Sequence, residues 1–208
     1  MALFVNDGIS VSKLARTGVQ CPATARRCVM ILGMSTSTYT MLHVLISFVG
    51  IGSGLAVMYG FLRAKRLDAI TAIFLVTTAL TSVTGFGFKI EHLTPGLVVG
   101  ALSLVLLAIA IAARYRLHLR GAWRPIYVVT AAIALYLNVF VLVVQSFEKV
   151  PALNALAPTQ KEPPFAVAQL TVLAVFIAAT IVAVRKFHPD IAVNPASLSD
   201  GRREKGAA

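Results

Sequence analysis

His43, Asn138, Gln145 and Gln169 each stand in a long apolar stretch, and that setting marks them out. An imidazole titrates near neutrality and can donate, accept or ligate, while a carboxamide offers one acceptor and two donors. Surrounded by hydrocarbon, such groups need partners. Either they pair across helices, or they line a small polar pocket for a ligand. His43 and His92 also fall on a common side of the chain's topology, and two neutral imidazoles suit a b-type haem or a copper or zinc ion. The sequence offers this pair no third or fourth soft ligand in the apolar runs, so the metal and haem reading is secondary and no cofactor is expected. His118 and His188 lie among arginines and read as solvated or interfacial. Away from the basic clusters the acids are Glu91, Glu148 and Glu162, all in connectors, and no nucleophile stands beside a base. The chain is therefore not expected to be an enzyme.

The elements that must position these groups are five apolar runs, at about 40–62, 69–88, 95–113, 125–147 and 164–184, none containing Asp, Glu, Lys or Arg. A charge at the centre of a span costs ~2.5–3.5 kcal/mol on insertion scales, so charge-free runs in an arginine-rich chain argue for five insertions. With 58% apolar and 13% charged residues and a mean hydropathy of +0.82, no stretch reads as a separate soluble domain. The expected fold is an all-α integral membrane protein, a bundle of five transmembrane helices.

The formal charge of +11 does not imply nucleic acid, because the basic residues sit in clusters at the ends of apolar runs. Arg63, Lys65, Arg66, Arg114, Arg116, Arg120, Arg124, Arg185, Lys186, Arg202, Arg203 and Lys205 share one side, against Lys89, Lys149 and Lys161 on the other. This asymmetry predicts an outside N-terminus and a cytoplasmic C-terminus in a bacterial inner membrane. Residues 1–33 carry four further cations on the wrong side and read as a disordered or non-native extension, with Met30 and Met34 as alternative starts. Cys21 and Cys28 lie in that segment and identify no compartment. Residues 189–208 read as a disordered cytoplasmic tail.

Helices in lipid associate through small residues. Gly50 and Gly54 in the first run, and Gly96 and Gly100 in the third, are the expected packing positions. Thr71, Thr78, Ser82 and Gly85 of the second run, and Tyr127, Ala131, Ala134, Asn138 and Gln145 of the fourth, should face them. Gly50, Gly52 and Gly54 superficially suggest a phosphate loop but lack a preceding strand. Trp123, Tyr127 and Tyr115 at one interface, and Tyr39, Phe86, Phe88 and Phe165 at the other, are expected as headgroup-level rings. The connector EKVPALNALAPTQKEPP, residues 148–164, reads as an ordered loop, with a short interfacial helical turn capping the pocket as the alternative.

The runs VLISFVGIGSGLAVMYG, LTSVTGFGF and FEKVPALNALAPTQKEPPF together resemble small multi-pass bacterial membrane proteins that have no known activity. The resemblance covers about residues 34–188. It implies a five-span inner-membrane protein and carries over no functional residue. The function expected first is that of a structural or accessory membrane subunit, with lipid and another membrane protein or a second copy as partners. The alternatives are a small-molecule binder or transporter using an outward-facing pocket of His43, Asn138, Gln145 and Gln169, and a haem-binding electron-transfer protein.

Reporter fusions after Lys65, Arg120 and Gly201 should report a cytoplasmic location, and those after Glu91 and Thr159 an external one. An inverted signal at Thr159 would remove one of the last two spans.

Overall fold

The computed structural model describes residues 30–31, 34–87 and 95–188. Met30–Ile31 and Met34–Ser35 pair as a minimal antiparallel ladder, and all other regular structure among the described residues is helical. The rest of the 1–33 extension, the 189–208 tail, His92 and Phe88 lie outside the described residues. Helix α1 spans Thr36–Leu62, α2 Asp68–Gly85 and α3 Pro95–Ile111. A π-helical turn, Ala112–Arg116, continues α3; α4 spans Trp123–Lys149, α5 Pro151–Leu156 and α6 Pro163–Lys186. Five of these elements are long and apolar enough to cross a membrane.

Local chemistry explains where the helices begin and end. Pro95, Pro151 and Pro163 each occupy the first helical position, where a missing N–H costs nothing. At the end of α1 the Lys65 N–H donates to the Gly60 carbonyl at 2.9 Å and the Ala64 N–H to the Phe61 carbonyl at 3.2 Å. With Ala64 at φ 54°, this is a left-handed helix terminus built without glycine. The 148–164 connector is a short helix, not the plain loop expected. Pro151 starts it, the Asn154 amide donates to the Phe147 carbonyl at 3.2 Å, and the Gln160 amide reaches the Val144 carbonyl at 3.5 Å. At its far end, desolvation acts to raise the Glu162 carboxyl pKa. Hydrogen bonds from the Thr159 hydroxyl and the N–H groups of Thr159 and Lys161 outweigh it and leave the group below the ordinary carboxylate value.

Helices α1 to α4 form a ring in which each packs on the next and α4 returns to α1; α6 packs outside it, against α1 and α4. The largest interface joins α1 to α2. Here Gly54 sits directly over neighbouring side chains. A Cβ at that position would stand 2.5 Å from Leu135 Cδ1 of α4 and 2.8 Å from Phe74 Cε2 of α2. Gly50 is looser, with Thr77 Oγ1 at 3.3 Å from the same construction, and Gly52 faces open space. Of the other two expected packing glycines, Gly100 leaves room for a methyl, because the Phe86 ring holds α2 and α3 apart there. Gly96 lines a cavity wall.

The hydrophobic core occupies the half of the ring nearer the arginines, around Phe61, Phe74, Leu107, Tyr127, Leu135 and Phe187. Tyr127 and Tyr39 were expected at the headgroup level and are instead buried. Their hydroxyls find protein partners, Tyr39 donating to the Thr84 carbonyl at 2.7 Å and Tyr127 accepting from Arg114 at 3.1 Å, so neither ring needs an interface. Trp123 and Tyr115 remain exposed.

Gly54→Ala should destabilise the protein by ~1–3 kcal/mol through overpacking. Gly50→Ala should cost less and Gly52→Ala little. Thermal unfolding in detergent checks the order, and equal melting of all three variants would show that Gly54 is not a contact point.

Candidate functional site

Beyond the level of Gly54 and Leu135 the ring encloses a cavity of about 330 Å³ between α1, α2, α3 and α4, at the end opposite the arginines. His43 and Ser47 of α1, Thr81 and Ser82 of α2, and Asn138 and Gln145 of α4 supply much of its polar chemistry. Val44, Phe48, Ile51, Leu97, Val141 and Leu142 are among the apolar residues of the wall. Lys149 and Val150 stand at the rim where α4 gives way to α5.

Several of these polar groups are held by neighbours. The Thr84 hydroxyl donates to the Leu80 carbonyl at 2.7 Å, so its oxygen accepts from His43 Nδ1, also at 2.7 Å. The Ser47 hydroxyl donates to the His43 carbonyl at 2.7 Å and lies 3.4 Å from the Thr81 hydroxyl. Deeper in, Asn138 Nδ2 donates to the fully buried Thr78 Oγ1 at 3.3 Å, and Ser82 donates to the Thr78 carbonyl at 3.0 Å.

Of the four pocket residues read from the sequence, His43, Asn138 and Gln145 all line this cavity. Gln169 does not. Its helix, α6, lies outside the ring, so Gln169 Nε2 donates to the Phe140 carbonyl at 3.3 Å on the outer side of α4, and its Oε1 is buried without a partner among the described residues. The sequence groups His43 with amides of the fourth and fifth spans, Asn138, Gln145 and Gln169. The closer packing of α1 on α2 gives it Thr84 instead. Thr84 was not singled out because threonine is ordinary in such helices; its signal was its place on the face that carries Thr81 and Gly85. Of the His43–His92 pair, only His43 falls among the described residues, and those residues hold no group of three or more His, Cys, Asp and Glu.

A second polar centre lies at the arginine end. The sequence counts Arg114 as one more topological charge, but the π-helical turn rotates it inward, leaving its side chain 4% exposed. Its guanidinium donates to Tyr127 Oη at 3.1 Å and to Asp68 Oδ1, and lies 5.4 Å and 5.6 Å from the Tyr127 and Tyr115 ring centroids. Tyr127 continues into a cluster with Phe61 and Phe187, and Arg124 donates to the Phe187 carbonyl at 3.1 Å. Asp68, a lone acid amid clustered arginines, was the available signal. This centre fastens the first turn of α2 and the ends of α3, α4 and α6 together.

Comparison with protein-family models, with curated proteins and with solved structures found no match to this chain.

Asp68→Asn should destabilise the fold by ~2–4 kcal/mol, toward the lower end for a buried pair because the carboxylate itself is exposed. Arg66→Gln removes a 3.5 Å surface contact to the same carboxylate and should cost under ~1 kcal/mol. Thermal melts of both variants test this, and a smaller loss for Asp68→Asn than for Arg66→Gln would refute the clamp.

Proposed function

We propose that this protein is a multi-pass protein of a bacterial inner membrane that binds a small, largely apolar molecule in the cavity between its first four spans. The observation that carries this reading is the cavity itself. At about 330 Å³ it falls within the range of small-ligand sites, apolar along most of its wall and supplied with a few placed polar groups. A ring whose only role was structural would gain packing from filling that space, since voids forfeit contacts. The charge asymmetry supports an outward-facing mouth, with Lys149 on the external side and the arginine clusters on the cytoplasmic side. Gln145, one turn from Lys149 and nearer the mouth than Asn138, then offers donor and acceptor positions for the polar part of the ligand.

The role of accessory subunit, expected first from the sequence, draws on α6. Val167, Leu170 and Val175 project away from the ring, giving a face that lipid or a partner helix covers equally well. The cavity favours the binding role over it. The reading as a haem protein rests on His43 and a second ligand in the undescribed 88–94 connector, and nothing in the cavity wall adds to it.

The test is native mass spectrometry of the full chain released from its own membranes in a mild detergent. Wild-type protein should retain a small-molecule adduct that Val141→Trp, which fills the cavity, loses while keeping its melting temperature. Absence of any adduct from the wild type, or the same adduct on the filled variant, would count against binding in this cavity.

A further inference from the structure

Two wall residues of the cavity are also surface residues. Val44 and Phe48, one turn apart on α1, line the cavity yet remain 42% and 55% exposed. The contacts that bring α1 close to α4 lie in the other half of the ring, where Gly54 meets Leu135 and Phe61 meets the Tyr127 ring at 5.5 Å. On the His43 side, α1 stays fastened to α2 through Tyr39, His43 and Ser47. The cavity therefore has a side opening along α1, at a depth that hydrocarbon occupies, as well as its mouth at the rim.

Among the described residues the cavity rim carries one cation, Lys149. Among the described residues the ion pairs are Arg114–Asp68 and Arg66–Asp68, so Lys149 has no acid partner there. Lys149 and Asn138 lie on one face of α4, separated by three turns, or about 16 Å at ~1.5 Å per residue. A slot of that length, apolar along most of its wall, open sideways to lipid and topped by an ammonium with no acid partner among the described residues, matches a chain with a negatively charged head.

Resting on the reading of the cavity as a binding site, we propose that its ligand is an anionic single-chain amphiphile, drawn from the bilayer, with its head at Lys149 and its tail between Val44, Phe48, Val141 and Leu142. The head is a carboxylate or a phosphate ester, so a free fatty acid and a lysophospholipid are the two sources of the same chemistry. An ammonium on a flexible stem can follow either head while its methylenes cover the cavity rim. At the floor, where the tail ends, Asn138 Nδ2 is already engaged with Thr78 Oγ1.

The experiment uses the full-length protein in neutral nanodiscs and compares dodecanoate, lysophosphatidylglycerol, dodecanol and dodecyltrimethylammonium by native mass spectrometry. Wild-type protein should bind an anionic probe about tenfold more tightly than dodecanol. Lys149→Gln should abolish that preference with dodecanol binding unchanged, and Lys149→Glu should shift it toward the trimethylammonium compound. Whichever anionic probe binds more tightly identifies the source. Equal binding of dodecanol and dodecanoate in the wild type, or an anionic preference that survives Lys149→Gln, would overturn the inference while leaving the cavity a binding site. Failure of every probe to bind, with Val141→Trp indistinguishable from wild type, would overturn both.

Discussion

The close approach at Gly54 sets the shape of everything on either side of it. Between helices in lipid there is little hydrophobic gain, because the tails are as apolar as the side chains, and association depends on how near two backbones can come. Gly54 lets α1 settle onto Phe74 and Leu135 at once, so three helices meet at one level. Towards the arginines the interior is filled by Phe61, Tyr127, Leu107 and Phe187. Towards His43 the α3 and α4 walls are held away from α1 and α2, and the space is left open. Cavity and core are two consequences of one pinch.

The two ends of the ring are held by different chemistry. At the filled end a guanidinium that is almost wholly buried is tied to Asp68 and Tyr127, and a buried charge is tolerable only with such partners. A π turn is the backbone device that brings it there, in keeping with the tendency of such turns to mark specialised positions. At the open end the bonds are between uncharged side chains and backbone and mostly join α1 to α2: Tyr39 and His43 to Thr84 at 2.7 Å, and a longer contact of Ser47 with Thr81. One half of the molecule is locked by a charge and the other is seamed by hydroxyls, which suits a rigid base carrying an adaptable site.

Much of this architecture was legible before any coordinates. Five charge-free runs specify five helices because the bilayer leaves few other solutions, and the stripe from Tyr127 through Ala131 and Ala134 to Asn138 marks the inner face of α4 because small and polar residues do not belong against lipid. Three of the four pocket residues share that logic. Gln169 obeys it too, being buried and hydrogen-bonded, but periodicity along one helix cannot say which neighbour a face will meet, and α6 docks on the outside of the ring. Arg114 was hidden for a different reason. Counting charges at helix ends assumes that each one is solvated, and a single π turn breaks the assumption by changing the register of the last residues of α3. For Tyr39 and Tyr127 a position near a helix end does not say which way the ring points, and here the fold supplies both hydroxyls with partners and turns the rings inward.

The outside position of α6 gives the molecule an order in time. Ribosomes add ~5–20 residues per second, so α1 to α4 are available to one another for a few seconds before the 24 residues of α6 have been made. The ring that encloses the cavity closes among those four helices and requires nothing from the fifth. What α6 adds on arrival is a cover: Phe187 slides beside Phe61, its carbonyl takes a hydrogen bond from Arg124, and the Gln169 amide donates to the Phe140 carbonyl. The walls of the cavity are thus all made before the helix that covers two of them from outside, and no residue of α6 lines the site.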